Sequence, residues 1–163
     1  ITPGLAFAKS QIAAGMARPE TGTVFLSLAD RDKDIGIETA SILSKLGFSI
    51  AATRGTAAAL SAASIEVVDV IAKIGEKEGT TAVELIESGK IRLVINSPRG
   101  RGPRADGDHI RKAAAEQGIP LLTTASAGLA LAKGLVDWRS YTLGVRPLQY
   151  FHKNAAAQQQ LEI

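Results

Sequence analysis

A chain of 163 residues is long enough for one domain with a real core, and its 45% hydrophobic content excludes a disordered polymer. Aromatics supply only 4%, so that core has to be built from Ala, Val, Ile and Leu, the profile of a parallel sheet under Ala-rich helices. The absence of cysteine excludes disulfides, thiolate metal sites and a thiol nucleophile, while a net charge of +3 suits a small anionic ligand better than a long polyanion.

In chain order, Leu5 to Ala14 has helical spacing and ends near Gly15, and Pro19 to Gly22 is a turn. Thr23 to Leu28 is a short apolar run with β-branched and aromatic content, predicted as a buried strand. After a charged corner, Asp30 to Asp34, apolar residues from Ile35 to Leu46 fall at helical spacing and Gly47 stops the helix. Phe48 to Ala52 is the second predicted strand, running through Thr53-Arg54-Gly55-Thr56 into an Ala-rich helix that lasts to about Ala63. Glu66 to Ile71 is the third strand, followed by a polar loop from Lys73 to Gly79. Thr81 and Glu84 have the spacing of a capping box for a helix over Ala82 to Ser88 that Gly89 ends. Ile91 to Ile95 is the fourth strand, and a long basic loop spans Asn96 to Gly107. A helix from Asp108 to Gln117, a fifth strand from Ile119 to Thr123 and a helix from Ala125 to Lys133 follow. Trp138 to Leu148 reads as an added edge strand leading to a last short helix.

Five β-α alternations with short connections imply the α/β class: a three-layer, doubly wound, five-stranded and mainly parallel sheet with right-handed crossovers, plus that possible extra edge strand. The expected organisation is an N-terminal helix and linker over 1–20, the main domain over 21–150, and a C-terminal helix or tail over 151–163. No run of 18 apolar residues and no signal-peptide pattern is present, so no membrane association is expected and the location reads as cytoplasmic. Ile1 without a Met suggests an excised piece of a longer polypeptide, and the glutamine-rich end a frayed tail. His109 and His152 have no ligand spacing, so no metal site is expected.

In sheets of this class ligands sit at the carboxyl ends of the strands, which selects a small set of residues. Thr53-Arg54-Gly55-Thr56 stands where a strand turns into a helix; its hydroxyls and first helical N–H groups either cap the helix or hold a phosphate or carboxylate. Lys33 and Lys73 lie at two neighbouring strand ends, either as solvated surface lysines or as charge for the same anion. Asn96 follows a purely apolar strand and is either a turn former or a donor and acceptor for a base or sugar edge. Thr123, Thr124 and Ser126 cap the last helix or serve a second ligand. The loop Arg99-Gly100-Arg101-Gly102-Pro103-Arg104 is strongly basic, yet no aromatic interleaves it, which disfavours nucleic-acid binding.

These residues, in this order, resemble the methylglyoxal synthase-like domain at the carboxyl end of the carbamoyl phosphate synthetase large subunit. The resemblance runs over nearly the whole chain and rests on Ala6 to Gln11, Gly22 to Ser27, Gly47-Phe48 through Ala52 to Ala57, Leu93 to Arg101, Asp106, Ile110-Arg111, Gly118 to Pro120, Thr123-Thr124 and Val145 to Gln149. It implies an allosteric, non-catalytic domain whose effectors are uridine monophosphate (UMP), inosine monophosphate (IMP) and ornithine. Carried over by position, Lys33, Thr53, Gly55, Thr56 and Lys73 hold the effector phosphate, Asn96 and Pro98 face the sugar and base, and Ser27 and Thr123 lie on the ornithine side. Pro98 departs from the hydroxyl residue that bacterial nucleotide-binding members often carry, and the loop after Lys73 differs in length and composition. The implied partners are the remainder of the large subunit and the small glutaminase subunit, with homo-oligomerisation left open. The implied parent is an ATP-dependent, glutamine-using ligase of arginine and pyrimidine biosynthesis that uses Mg or Mn and K; no cofactor is expected in this domain.

Two other function classes compete. Methylglyoxal synthase, a phosphate lyase acting on dihydroxyacetone phosphate, shares the fold and the threonine-glycine turn. It carries a Gly-Gly-Asp motif in the loop after the fourth strand, where this chain has no carboxylate before Asp106. A nucleic-acid or protein adaptor working through the arginine loop is the third class, and it predicts a steep salt dependence.

Overall fold

The computed structural model describes residues 2–16, 19–72, 79–97 and 105–140, together with 144, 147, 149 and 150. Five strands alternate with helices: α1 (Pro3–Ala13), β1 (Gly22–Ser27), α2 (Lys33–Lys45), β2 (Phe48–Thr53), α3 (Arg54–Ala62), β3 (Asp69–Ile71), α4 (Ala82–Glu87), β4 (Ile91–Asn96), α5 (Ala105–Glu116), β5 (Leu121–Leu122) and α6 (Ala125–Ser140). A single 3-10 turn, Asp30–Asp32, joins β1 to α2. Local chemistry sets several of these ends. Thr2 accepts a hydrogen bond from the Leu5 N–H at 3.1 Å, and Pro3 occupies the first turn of α1, where its missing N–H costs nothing. Gly47 closes α2 at φ 89°, a left-handed conformation in which a Cβ would be strained.

All four strand pairings are parallel and the strand order is β3-β2-β1-β4-β5. The chain therefore winds outward from β1 to β3, then crosses back to β4 and on to β5. The two halves part between β1 and β4.

Side chains alternate across the sheet and feed two cores. Val24, Leu26, Ile50, Ala52, Leu93 and Ile95 pack on one face with α1, α2, α3 and α6. Phe25, Ala51, Ile71, Ile91 and Val94 pack on the other with α4 and α5. Ile91 and Leu93 lie on opposite faces although two residues apart, because the β1–β4 register shifts there: Thr23 pairs with Ile91 and Val24 with Leu93, leaving Arg92 as an extra residue. Each fully buried Leu or Ile contributes about 1.5–3 kcal/mol, so a core poor in aromatics still closes the sheet.

The capping box at α4 forms as the sequence implies: Thr81 N–H donates to Glu84 Oε2 at 2.7 Å and Glu84 N–H to Thr81 Oγ1 at 3.3 Å. Hydrogen bonds from the Thr81 backbone, and next its hydroxyl, hold the Glu84 carboxyl below the usual glutamate pKa. A depressed carboxyl pKa stabilises the fold above the unfolded-state value, and that contribution is lost as pH falls through the folded value. Glu84→Gln is therefore expected to reduce the acid loss of melting temperature between neutral and acidic pH, checked by thermal denaturation at both.

Several boundaries move from their sequence-based positions. The helix expected to end at Lys133 runs on to Ser140, so the added edge strand does not begin at Trp138. Leu131, Leu135 and Trp138 share one helical face and are all buried, which favours continuing the helix. Most of 141–148 lies outside the described residues. Of the expected last helix, Gln149 and Tyr150 are helical and the rest is likewise outside. The third strand starts at Asp69 rather than Glu66, and the fifth shrinks to Leu121–Leu122. Pro120 accounts for the later start of the fifth: its carbonyl accepts from Val94 N–H at 2.9 Å, but it has no N–H to continue the ladder.

Candidate functional site

The carboxyl ends of β2, β1 and β4 lie side by side where the winding reverses. Ser27 pairs with Asn96 in the β1–β4 register. Thr53 closes β2, and Leu26, one residue before Ser27, pairs with Ala52. From β2 to β4 is two strand spacings, roughly 10 Å. Thr53, Ser27 and Asn96 thus stand at the ends of three adjacent strands. In open α/β sheets this is where a ligand finds helix starts and loops rather than packed side chains.

Thr53 is the N-cap residue of α3, with extended backbone at φ −62° and ψ 151°, but its side chain makes no capping bond. Its hydroxyl instead donates to Thr56 Oγ1 at 3.1 Å. The first-turn amides of Gly55 and Thr56 have no partner within the helix by its geometry, and the cap side chain does not take one. Amides so placed, together with the helix dipole, favour an anion. Gly55 lies inside this first helical turn, not in a left-handed turn.

Thr56 is turned inward. It is buried, and its Oγ1 also accepts the Leu28 N–H at 3.0 Å. The hydroxyl expected to touch a phosphate therefore ties α3 to the segment just beyond β1. Lys33 opens α2 just beyond the end of β1, and its Nζ lies 2.9 Å from Asp30 Oδ1, with side-chain exposures of 27% and 75%. An exposed pair of this kind is worth about 0–1 kcal/mol, so an incoming anion can compete with Asp30 for the ammonium. Asn96 is buried at the end of β4, and its Nδ2 lies close to Gly107 on α5. Arg111 approaches the same glycine and pairs with Asp108 at 3.0 Å.

Ser27 is half-buried at the end of β1, beside Asn96. Thr123 is exposed just past β5, the far edge of the sheet, two strand spacings from β1. It is thus apart from the Thr53 turn and nearest Asn96. Lys73, Pro98 and the arginine loop 99–104 lie outside the described residues. His109 sits on α5, facing solvent, as its place in a predicted helix implies.

Two site residues escaped the sequence reading. Ser97, 4% exposed, accepts the Ala29 N–H on its Oγ at 3.0 Å, and its own N–H donates to Ser27 O at 2.9 Å. The signal in the sequence was only a hydroxyl directly after Asn96. Asp30 is the other: its carboxylate stands at the corner after β1, beside Lys33, rather than in the loop after β4. At the opposite end of the sheet a separate pocket of about 290 Å³ is lined by Leu46, Phe48, Leu135, Arg139 and the turn before β1. Among the described residues no group of three His, Cys, Asp or Glu is placed to hold a metal ion, and no helix is long and apolar enough to cross a membrane.

Comparison with known proteins agrees with this architecture. The family model described as MGS-like domain matches residues 36–123, a stretch that contains Thr53, Gly55, Thr56, Asn96 and Thr123. Over 154 residues the chain is 42% identical to a carbamoyl phosphate synthase large chain from Acidobacterium capsulatum, covering 94% of this chain and 14% of that protein. It is 37% identical over 146 residues to the large chain from Synechocystis, covering 90% and 13%. Over 145 residues it is 37% identical to the carbamoyl phosphate synthase large chain, C-terminal section, from Methanocaldococcus jannaschii, covering 89% and 23%. The chain thus spans a minor part of the length of the curated relatives it matches. A parallel sheet in the order β3-β2-β1-β4-β5 and a family match over more than half the sequence carry one conclusion: the chain belongs to the MGS-like domain family.

Proposed function

We propose that this domain binds a nucleoside monophosphate as a regulatory effector, within a carbamoyl phosphate synthase large chain. The uncapped start of α3, with the Thr53 hydroxyl beside it and Lys33 above, supports this reading best: it offers amides and a cation to one phosphate. Asn96, two strands away, suits a base or sugar edge, and Ser27 and Thr123 continue toward an ornithine side. UMP, IMP and ornithine are the effectors the family resemblance implies. The parent ligase, with ATP, Mg or Mn and K, and the glutaminase subunit as partner, comes from the same source. Regulation requires that the effector bind one state of that parent better than another.

A thermal-shift screen against UMP, IMP, ornithine and dihydroxyacetone phosphate tests the reading, because a ligand that binds only the folded chain raises the melting temperature. UMP or IMP is expected to raise it, with micromolar to millimolar affinity, about −8 to −4 kcal/mol. The affinity is expected to fall only gently with salt, whereas an adaptor binding a polyanion through the arginine loop loses affinity steeply. Asp30 beside Lys33 keeps a second reading in play: turnover of dihydroxyacetone phosphate by the purified chain would make the site a phosphate lyase instead.

A further inference from the structure

Two consecutive amides just beyond β1, those of Leu28 and Ala29, are buried, and each is accepted by a hydroxyl from a different element. Thr56 of α3 takes the first at 3.0 Å and Ser97 after β4 takes the second at 3.0 Å. Ala29 is in turn the N-cap of the turn Asp30–Asp32, and its carbonyl accepts the Asp32 N–H at 3.0 Å. Lys33 follows at once. The corner that carries Lys33 is therefore pinned from both sides of the point where the winding reverses. Among the described residues its grip on the β4 side is Ser97, itself anchored by its backbone bond to Ser27.

We infer that Ser97 is a positioning residue for the anion site: it holds Ala29, and through it Lys33, at the height of the α3 N-terminus. The inference rests on the proposed phosphate site and adds a residue to it. Removing the hydroxyl leaves a buried N–H without an acceptor, and the corner relaxes to find water. Lys33 then spends less time over the ligand. A threonine in its place keeps the acceptor.

The test is calorimetric titration of UMP into the wild-type chain, Ser97→Ala, Ser97→Thr, Lys33→Ala and the Ser97→Ala/Lys33→Ala double variant, with amide hydrogen exchange at Ala29. Ser97→Ala is expected to weaken UMP by about tenfold, which corresponds to 1.4 kcal/mol, and to speed Ala29 exchange. Ser97→Thr stays within about twofold of wild type, a difference of under 0.5 kcal/mol. In the Lys33→Ala background the Ser97 effect largely vanishes, because the group it positions is gone. A loss of equal size in both backgrounds, or no loss at all, overturns the positioning role while leaving the phosphate site intact. No UMP binding by the wild-type chain overturns both. Should Ser97→Ala fail to fold, Ser97→Cys, nearly isosteric but a weak acceptor, carries the same comparison.

Discussion

Gly134→Ala is expected to destabilise the domain by about 3 kcal/mol, at the upper end for overpacking a core. Helix α1 lies directly on α6 at this point. A Cβ on Gly134 would come 2.2 Å from the Gly4 carbonyl oxygen and 2.8 Å from Ala8 Cβ; from the other side, a Cβ on Gly4 would come 2.9 Å from the Gly134 amide nitrogen. The close atoms are mostly backbone, so neither helix can yield by turning a side chain, and the contact has to open. Opening it loosens Leu5 and Ala8 from Leu131 and Leu135. The sign of the effect is diagnostic, because Gly→Ala in an unobstructed helix stabilises by about 1 kcal/mol. Urea denaturation measures it: with a slope of about 1–3 kcal/mol/M, the midpoint falls by about 1 M or more. A midpoint at or above wild type would show that α1 does not pack on α6 as described. Lys133→Ala, on the exposed side of the same helix, is the control and is expected to stay within about 0.5 kcal/mol.

The second large effect separates two threonines that look alike in the sequence. Thr56→Val is expected to cost about 1–3 kcal/mol of stability, because the buried Leu28 N–H loses its acceptor and nothing in the core replaces it. Thr53→Ala removes no capping bond, and among the described residues its hydroxyl is hydrogen-bonded to Thr56. It is therefore expected to change stability by under about 0.5 kcal/mol while weakening UMP by about 1–3 kcal/mol. Denaturation and titration of the same two proteins check both halves. Equal stability losses in the two variants would contradict the division of labour.

The sequence was most legible where structure is local. Thr81 and Glu84 sit three residues apart and form their capping box from that spacing alone. Gly47 marks the end of α2 because no other residue takes φ 89° at so little cost. The apolar runs 23–28, 48–52 and 91–95 became strands because a doubly wound sheet buries both faces, and the β-α alternation then gave the fold class and the reversal point. That Thr53, Ser27 and Asn96 stand at neighbouring strand ends followed from that topology.

What stayed hidden depends on contacts between distant segments. No local pattern tells that Thr56 reaches back 28 residues to Leu28, or that Ser97 reaches 68 to Ala29. Trp138 carried an aromatic strand signal, and only the core under α6 keeps it helical. The close approach of Gly4 and Gly134, 130 residues apart in numbering, reads in the sequence as two unremarked glycines. The ion pair of Lys33 with Asp30 was local but ambiguous, since a lysine three residues after an aspartate is as often plain surface.

Amide chemical-shift mapping during titration with UMP addresses the site most directly. The largest changes are expected at Gly55 and Thr56, at Leu28 to Lys33, and at Asn96 and Ser97, three segments that meet only at the carboxyl ends of β1, β2 and β4. Changes centred instead on Leu46, Phe48 and Leu135 at the opposite end of the sheet, or no saturable change anywhere, would contradict it.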